Sequence, residues 1–354
     1  RAGEALVAWE DRDGVHVAAR ASGRAPWRAR LAAPSTGSPI GGVTAARDAR
    51  GGWVVAERQF PANGSGMQDR VRTLVLAGDG RPALRAQDLG PGDFGIDARP
   101  VSALAPGDVG GATLVFETEG APRTIEISAD SHAGHFVPPL ALPSPRPLAD
   151  PWLASVPGGP TFVAATQIIR CGDVVCFGAP AVWAIMNGIT PVRLGGPLLH
   201  HPGRAFGPSV APIGVSDAAL VFQLKTAAQA FSVLAPVRAA VIQGDQIVGG
   251  LQTLTSRPAS EPVVLPLGEG RALAMWSDAR GLGAALAGPN GHFYAVRAPV
   301  GPGPAPYHSN PTNRDARTSG DWVAATWQQG RRVRVSVRRF PPGANALKAG
   351  SGGV

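Results

Sequence analysis

The sequence predicts an all-β chain in which one strand-rich unit recurs seven times. A short apolar strand that ends in a polar residue returns along the chain, and these polar residues are Glu10, Glu57, Glu117, Thr166, Gln223, Ser277 and Thr326. Consecutive members are 47, 60, 49, 57, 54 and 49 positions apart. A unit of about 50 residues built only of strands is typical of a propeller blade. The repeat therefore predicts a seven-bladed β-propeller of four-stranded antiparallel blades.

Each unit is predicted to contain four strands, A to D from the inside of the ring outwards. A Pro-led segment such as RPVSAL (99–104) comes first and is assigned to strand A, because Pro suits the first position of a strand. The recurring strand is B, and a third apolar strand, C, follows it. Strand C ends in a turn such as GDG (78–80) or PNG (289–291), whose residues tolerate the backbone of hairpin turns. Strand D closes the unit.

The repeats run from end to end, so we expect one domain over residues 1–354. The predicted blades are 1–37, 38–97, 98–148, 149–205, 206–259, 260–308 and 309–350. The first blade lacks strand A, whereas NALKAG (345–350) can serve as the last strand D. The final residues SGGV (351–354) echo IGGV (40–43), so they either supply the missing inner strand or form a tail. Closure would remove exposed sheet edges.

Charge is the most unusual feature of the composition. The formal net charge is +8, and only Lys225 and Lys348 among the 33 basic residues are lysines. Either the chain has affinity for an acidic partner, or the arginines reflect the codon bias of a GC-rich genome. The densest cluster, in 331–339, alternates along one predicted strand and indicates a solvated face or an anion-binding stripe. Tryptophans do not interleave with it, so no nucleic-acid partner is expected.

The two cysteines, Cys171 and Cys176, flank a Gly-Asp turn. This spacing can bring the two Cβ atoms within bridging distance, and a disulfide implies an oxidising compartment. Two free thiols or half of a metal site are the alternatives, although no second cysteine pair exists for a metal. We expect the disulfide and a secreted or extracytoplasmic location. The start at Arg1 fits a processed secretory protein or a trimmed chain, and no apolar run reaches the roughly 20 residues of a membrane span.

No motif predicts catalysis, a cofactor or a metal. His132 and His135 have a metal-like spacing but fall on a predicted turn with no third ligand nearby in the sequence. DRDG (11–14) has only half the carboxylates of a calcium loop. Carboxylates at the ends of strand B, such as Glu10, Glu57 and Glu117, could support glycoside chemistry, or they could simply cap their strands.

The best candidate site is the channel mouth, which the D-to-A and B-to-C connections form in a propeller. Five side chains are predicted to converge there as a ligand-binding rim: Arg99, Arg204, Arg257, Tyr307 and His308. Guanidinium groups favour a carboxylate or a sulfate. The competing interpretation is that these arginines pair with Asp97, Asp150 and Glu261 and leave a neutral rim.

The strand periodicity and the recurring Trp/Phe-polar pair, as in Trp9–Glu10 and Phe116–Glu117, resemble those of secreted bacterial β-propellers with degenerate repeats, of the sialidase-like or lectin-like class. SDARGLG (277–283) does not match the Asp box of sialidase-like repeats, so the resemblance carries no catalytic residue. The lack of a catalytic motif, the degenerate repeats and the arginine-rich composition favour a secreted binding or surface-assembly propeller, for an acidic glycan or an acidic protein segment. A carbohydrate-active hydrolase or lyase, or a subunit of a larger assembly, are the alternatives.

Overall fold

Every regular element in the described part of the chain is a β-strand, as the periodicity predicts. The fold is that of a computed structural model. It describes residues 4–22, 24–35, 40–48, 51–59, 70–91, 102–106, 112–118, 124–129, 135–155, 160–171, 176–186, 190–195, 204–225, 234–259, 262–278, 281–288, 290–296, 314–329 and 332–340. Within these ranges, no helix has the length and apolar character needed to cross a membrane.

The chain divides into two compact units, the first being Arg1–Thr161 with Ile185–Pro191. Three antiparallel sheets of this unit keep the sequence order of their strands, and they are β1–β3, β4–β7 and β8–β11. Its strands are β1 (Ala5–Asp11), β2 (Gly14–Arg20), β3 (Arg28–Pro34), β4 (Ile40–Arg47), β5 (Trp53–Gln59), β6 (Arg70–Leu76), β7 (Gln87–Pro91), β8 (Ser102–Pro106), β9 (Ala112–Thr118), β10 (Thr124–Ala129), β11 (Leu140–Ala141) and β12 (Leu148–Ser155).

The second unit comprises Phe162–Ala184 and Val192–Val354. Here β16–β19, β20–β23 and β24–β26 are antiparallel meanders in sequence order, and β13, β14 and β15 are neighbours in that order. The strands are β13 (Thr161–Cys171), β14 (Cys176–Met186), β15 (Thr190–Leu194), β16 (Arg204–Pro212), β17 (Asp217–Lys225), β18 (Ala235–Gln243), β19 (Gln246–Ala259), β20 (Val263–Leu267), β21 (Arg271–Asp278), β22 (Gly281–Ala287), β23 (Phe293–Val296), β24 (Arg314–Ser319), β25 (Trp322–Gln329) and β26 (Arg332–Arg339).

Successive meanders of the second unit are joined at single residue pairs. Gly178 of β14 pairs with Arg204 of β16 in parallel, and Ala259 of β19 pairs with Asp278 of β21. The repeating unit remains the four-stranded meander that the sequence predicts, and these bridges only tie one meander to the next.

Both faces of the central strands are covered, which explains their uninterrupted apolar runs. In β17, every residue from Ala218 to Gln223 is buried, and in β21 the same holds from Ala272 to Ser277. In the first unit, Val15 and Val17 of β2 share a core cluster with Val55, Leu74 and Leu76 of the next sheet. Apolar packing between consecutive sheets therefore forms the core.

The expected all-β, antiparallel architecture is confirmed. The predicted strand D at 345–350 and the predicted closing strand at 351–354 lie outside the described residues. The single domain, the blade limits and the count of seven stay predictions.

Candidate functional site

The five residues predicted for the channel mouth are only partly described. Arg99, Tyr307 and His308 lie outside the described residues, and so does the side chain of Arg204, which begins β16. Arg257 is half-buried near the end of β19, where its backbone N–H donates to Thr255 Oγ1 at 3.1 Å. β16, which begins with Arg204, and β19, which contains Arg257, are the first and last strands of one meander. Three inter-strand spacings of about 4.8 Å therefore separate these two strands. The convergent rim stays a prediction.

The polar residue that ends strand B is an interior residue in several units. Glu57 is 1% exposed and Glu117 is 2% exposed, whereas Glu10 is exposed. Thr166, Gln223 and Ser277 are also buried, and Gln223 Nε2 donates to the carbonyl oxygen of Ala259 at 2.7 Å. A sugar cannot reach Glu57 or Glu117 in this arrangement. These two carboxylates therefore do not fit the predicted role in glycoside chemistry.

Glu57 forms a buried ion pair with Arg72, which faces it on the adjacent strand β6. Arg72 Nε donates to Glu57 Oε1, while neither Glu57 Oε2 nor Arg72 Nη2 has a hydrogen-bond partner among the described residues. Burial raises the pKa of Glu57, and the charge and hydrogen bond of Arg72 oppose that rise only in part. The pair is internal and stabilises the junction of β5 and β6.

The B-to-C end of the first unit's strands carries a second group of carboxylates. Asp11, Asp13 and His16 bring ligand-type atoms within 4.8 Å of one another at the turn between β1 and β2. Asp11 Oδ1 accepts the backbone N–H of Asp13 and lies 2.9 Å from His16 Nε2. The hydrogen bond from Asp13 is the main influence that lowers the pKa of Asp11. These contacts stabilise the turn between β1 and β2.

Two arginines at this end form ion pairs with carboxylates. Arg72 pairs with Glu57, and Arg70 Nε lies 2.6 Å from Asp88 Oδ2. The carboxylate end is defined here as Glu10, Asp11, Asp13, Glu57 and Asp88, together with Arg70 and Arg72. Arg70 and Arg72 therefore already have counter-charges.

The opposite end of the same strands is dominated by arginine. β2 runs away from the carboxylate end and β3 returns to it, so the intervening turn lies at the far end of the sheet. The turn at 77–81, after β6, lies beside it: a Cβ on Gly80 would be 3.3 Å from both Ala19 and Val17. Residues 20–30 and 77–81 together contain five arginines and one acidic residue, Asp79. We define the basic end as Arg20, Arg24, Trp27, Arg28, Arg30 and Arg81.

The arginines of the basic end are only partly neutralised. Asp79 Oδ2 lies 3.2 Å from Arg81 Nε and 3.9 Å from Arg30 Nη2. The guanidinium carbon of Arg20 lies 5.0 Å from the ring centroid of Trp27, which is 41% exposed. Arg24 and Arg28 are exposed. Within residues 20–30 and 77–81, one carboxylate therefore accompanies five guanidinium groups and the exposed Trp27 ring. Glu4, which precedes β1 at the same end, pairs with Arg47.

This arrangement suits a flat, anionic ligand. Guanidinium groups bind carboxylates and sulfates through paired, charge-assisted hydrogen bonds. An exposed Trp offers an apolar face with a polar edge, which suits the amphipathic surface of a sugar ring. Sequence reasoning missed this end because it placed all candidates at the channel mouth. The available signal was RASGRAPWRAR (20–30), where four arginines and a tryptophan surround a predicted C-to-D turn.

The remaining sequence candidates fall in three places. In the arginine-rich β26, the Arg338 guanidinium carbon lies 5.1 Å from the Phe340 ring centroid and Arg339 is exposed. His135 is exposed, and His132 lies outside the described residues. Cys171 ends β13 and Cys176 begins β14, and the side chain of Cys176 is not described. The disulfide stays a prediction, which mass spectrometry without reduction can check.

No protein-family model matches the chain, and no curated protein matches its sequence. Solved structures do resemble it. Polysaccharide lyase Uly1 has 10% identity and a TM-score of 0.55, over 95% of this chain and 88% of that one. A protein of unknown function from Dyadobacter fermentans has 12% identity and a TM-score of 0.52, over 86% and 94% of the two chains.

A further similar structure is the β-propeller domain of the Trilobed protease from Pyrococcus furiosus, with 8% identity and a TM-score of 0.48 over 97% and 93% of the two chains. At identities this low, likeness to a solved structure shows the fold alone. Activity must be argued from this chain's own residues.

Proposed function

We propose that this chain is a secreted or extracytoplasmic binding propeller that recognises an acidic glycan at the basic end. One observation carries the proposal: in residues 20–30 and 77–81, five arginines and the exposed Trp27 accompany a single carboxylate, Asp79. Unmatched guanidinium groups attract anions and select carboxylate or sulfate by geometry. The match to a polysaccharide lyase structure agrees with a carbohydrate rather than a peptide as the ligand.

Binding without catalysis is the simpler account of the described carboxylates. Glycoside hydrolysis needs two carboxyl groups that flank the scissile bond of a bound substrate. Glu57 and Glu117 are buried, and Glu57 is already paired with Arg72. The alternative, a hydrolase or lyase with its site at the channel mouth, would use exposed carboxylates such as Glu10, Asp11 and Asp13, or residues outside the described part of the chain.

We also propose that the meanders form a seven-bladed ring. The described strands fall into seven successive groups, β1–β3, β4–β7, β8–β11, β12–β15, β16–β19, β20–β23 and β24–β26. Their order and antiparallel pairing are those of propeller blades. An experimental structure with six or eight blades would overturn this count.

The binding test compares acidic and neutral oligosaccharides of equal length by calorimetry at two salt concentrations. Replacing Arg24, Arg28 and Arg81 by Gln should weaken binding of the acidic oligosaccharide about 10- to 100-fold, which corresponds to about 0.5 to 0.9 kcal/mol per arginine. Binding should also weaken as salt rises, because exposed charges are screened.

A matched control replaces Arg12, Arg70 and Arg146 by Gln, since all three are exposed residues elsewhere in the first unit. It removes the same net charge and should change affinity less than about threefold. Equal weakening by both triple variants would show a non-specific charge effect and contradict the site. Equal binding of acidic and neutral oligosaccharides, or a preference for an acidic peptide, would contradict the ligand.

A further inference from the structure

The side chains of Gln87 and Gln252 each join two consecutive meanders through a pair of hydrogen bonds to backbone groups. This paired arrangement is called a clamp here. Gln87 Nε2 donates to the carbonyl oxygen of Phe136 at 2.9 Å, and the backbone N–H of Phe136 donates to Gln87 Oε1 at 2.8 Å. Gln252 Nε2 donates to the carbonyl oxygen of Gly291 at 2.6 Å, and the backbone N–H of Phe293 donates to Gln252 Oε1 at 2.9 Å. Each unit therefore contains one such clamp.

The sequence around the clamps is also repeated. Gln87 and Gln252 each begin a Gln-x-Leu segment, and both partner strands carry Gly-His-Phe, at 134–136 and 291–293. Leu89 packs against the core cluster that contains Phe136, and Leu254 and Phe293 pack against one other cluster. The two sites thus share one arrangement, in which strand D of one meander is hydrogen-bonded to the segment that precedes or begins the last strand of the next.

The second copy carries polar and aromatic side chains that the first copy lacks. Asn290 and Tyr294 flank its Gly-His-Phe, where the first copy has Ala133 and Val137. Asn290 Nδ2 donates to the Tyr294 hydroxyl, and Asn290 Oδ1 accepts the backbone N–H of His292 at 3.3 Å. The His292 and Tyr294 rings meet edge to face, with centroids 6.4 Å apart. Since the first clamp forms without these side chains, clamping does not require them.

The backbone holds this cluster in one position. Gly249 and Gly291 have φ angles of +71° and +81°, and a Cβ on Gly249 would lie 2.7 Å from the Gly291 carbonyl oxygen. Only glycine tolerates both the conformation and the close approach. The turn that bears Asn290 and His292 is therefore held against β19. Tyr294 is 42% exposed on the outer strand β23, and Leu251 is 39% exposed on β19.

The segments that carry this cluster have no charged residue of their own, although Arg238 of β18 hydrogen-bonds to Thr253. Residues 246–256 and 281–296 contain no Asp, Glu, Lys or Arg. A ligand here meets an aromatic face, an amide and an imidazole, which can supply stacking and hydrogen bonds. Neutral sugar rings have the complementary surface, with an apolar face edged by hydroxyl groups.

We propose that Asn290, His292 and Tyr294 form a binding platform for a neutral saccharide on the second unit. The ring of Tyr294 stacks on the apolar face of the sugar, while Asn290 and His292 hydrogen-bond to its hydroxyl groups. The platform is separate from the basic end and does not depend on the proposed function. Its small contact area predicts dissociation constants of about 0.1 to 5 mM.

Saturation-transfer NMR and calorimetry with neutral gluco-, manno-, xylo- and galacto-oligosaccharides test the platform. Tyr294→Val installs the residue of the first copy and should weaken binding at least about tenfold, because the stacking face is lost. Tyr294→Phe keeps the face and should lose about fivefold or less. Both variants should unfold within a few degrees of the unmodified chain, because the Gln252 clamp remains.

Two controls separate the platform from other effects. Val137→Ala, at the equivalent position of the first copy, should leave binding of neutral saccharides unchanged. The Arg24, Arg28 and Arg81 triple variant should also bind them normally, even if the acidic-glycan proposal fails. The platform is refuted if no neutral oligosaccharide binds more tightly than about 10 mM, or if Tyr294→Val binds as the unmodified chain does.

Discussion

Arginines at the two ends of the first unit's strands have different partners and hence different roles. At the carboxylate end, Arg72 is buried against Glu57 and Arg70 contacts Asp88. At the basic end, Arg24 and Arg28 are exposed, and Arg81 shares Asp79 with Arg30. The residue type is the same at both ends, but Arg70 and Arg72 each have a counter-charge, whereas Arg24 and Arg28 form no ion pair within the described part of the chain.

Burial and pairing, rather than arginine content, decide what each end can do. A buried pair such as Glu57–Arg72 contributes to stability mainly because loss of one partner leaves an uncompensated charge inside the protein. An exposed, unmatched arginine contributes little to stability but remains available to a ligand. Substitutions at the carboxylate end should therefore change unfolding, and substitutions at the basic end should change binding.

The largest expected effect is on stability, from Arg72→Met. The variant leaves Glu57 buried without its cation and should lower the free energy of unfolding by about 3 kcal/mol, measured by urea denaturation. Arg70→Met is the matched control, and because Arg70 and Asp88 are 54% and 46% exposed it should cost less than about 1 kcal/mol. Equal losses in the two variants would contradict the comparison.

The same variant should make stability depend more strongly on pH. Burial raises the pKa of Glu57 in the folded state, so the folded chain holds this proton at pH values where the unfolded chain has released it. Glu57 therefore contributes most to the free energy of unfolding at pH values below its pKa in the unfolded state. This contribution falls as pH rises towards its pKa in the folded state. Arg72→Met removes an influence that lowers this pKa, so the loss should be greater at pH 8 than at pH 5. Glu57→Gln in the same background should abolish the difference.

A smaller effect is expected on binding, from Trp27→Ala at the basic end. Loss of the exposed ring should weaken binding of an acidic oligosaccharide about fivefold, because sugar stacking and the support of Arg20 are both lost. The salt dependence should not change, since no charge is removed. Trp322→Ala is the control, because Trp322 is 51% exposed in the second unit. A normal affinity in Trp27→Ala would exclude the ring from the site.

The smallest expected effect is a gain in affinity for an acidic glycan, from Asp79→Asn. Asp79 competes with a ligand for Arg30 and Arg81, so its neutralisation should strengthen acidic-glycan binding about two- to fivefold. Asp88→Asn, at the carboxylate end, should leave affinity unchanged. If both aspartate variants strengthened binding equally, net charge alone would be the cause and the basic end would have no special role.

The local sequence pattern was enough to predict the strands, but not which of their side chains the neighbouring strands and sheets bury. The recurring B strand, such as LVFQL (220–224), was correctly assigned because its apolar run and flanking turns are local features. Whether its terminal polar residue is buried or exposed was not predictable, because burial depends on the neighbouring strands and sheets. Glu57 is buried and Glu10 is exposed, although both occupy the same position in their repeats.

The basic end shows a similar limit of prediction from the sequence. The arginines of 20–30 are visible in the sequence, but their counter-charges are not, because Asp79 reaches Arg30 from another sheet. The Gln87 and Gln252 clamps also join residues 49 and 41 positions apart. Such contacts follow from the alignment of neighbouring sheets, which strand periodicity does not specify. The ring of residues predicted at the channel mouth awaits a direct test for the same reason.

Hydrogen–deuterium exchange with and without a saturating acidic oligosaccharide tests the central claim most directly, because it locates the contact along the chain. Binding at the basic end should slow amide exchange in residues 18–31 and 77–86, through ordering of the two turns that carry its arginines. Exchange in the Gln252 and Tyr294 region should not change. Protection confined to 92–101, 195–204, 257–261 and 297–313, which contain the residues predicted for the channel mouth, would contradict the account and return the site to Arg99, Arg204, Arg257, Tyr307 and His308.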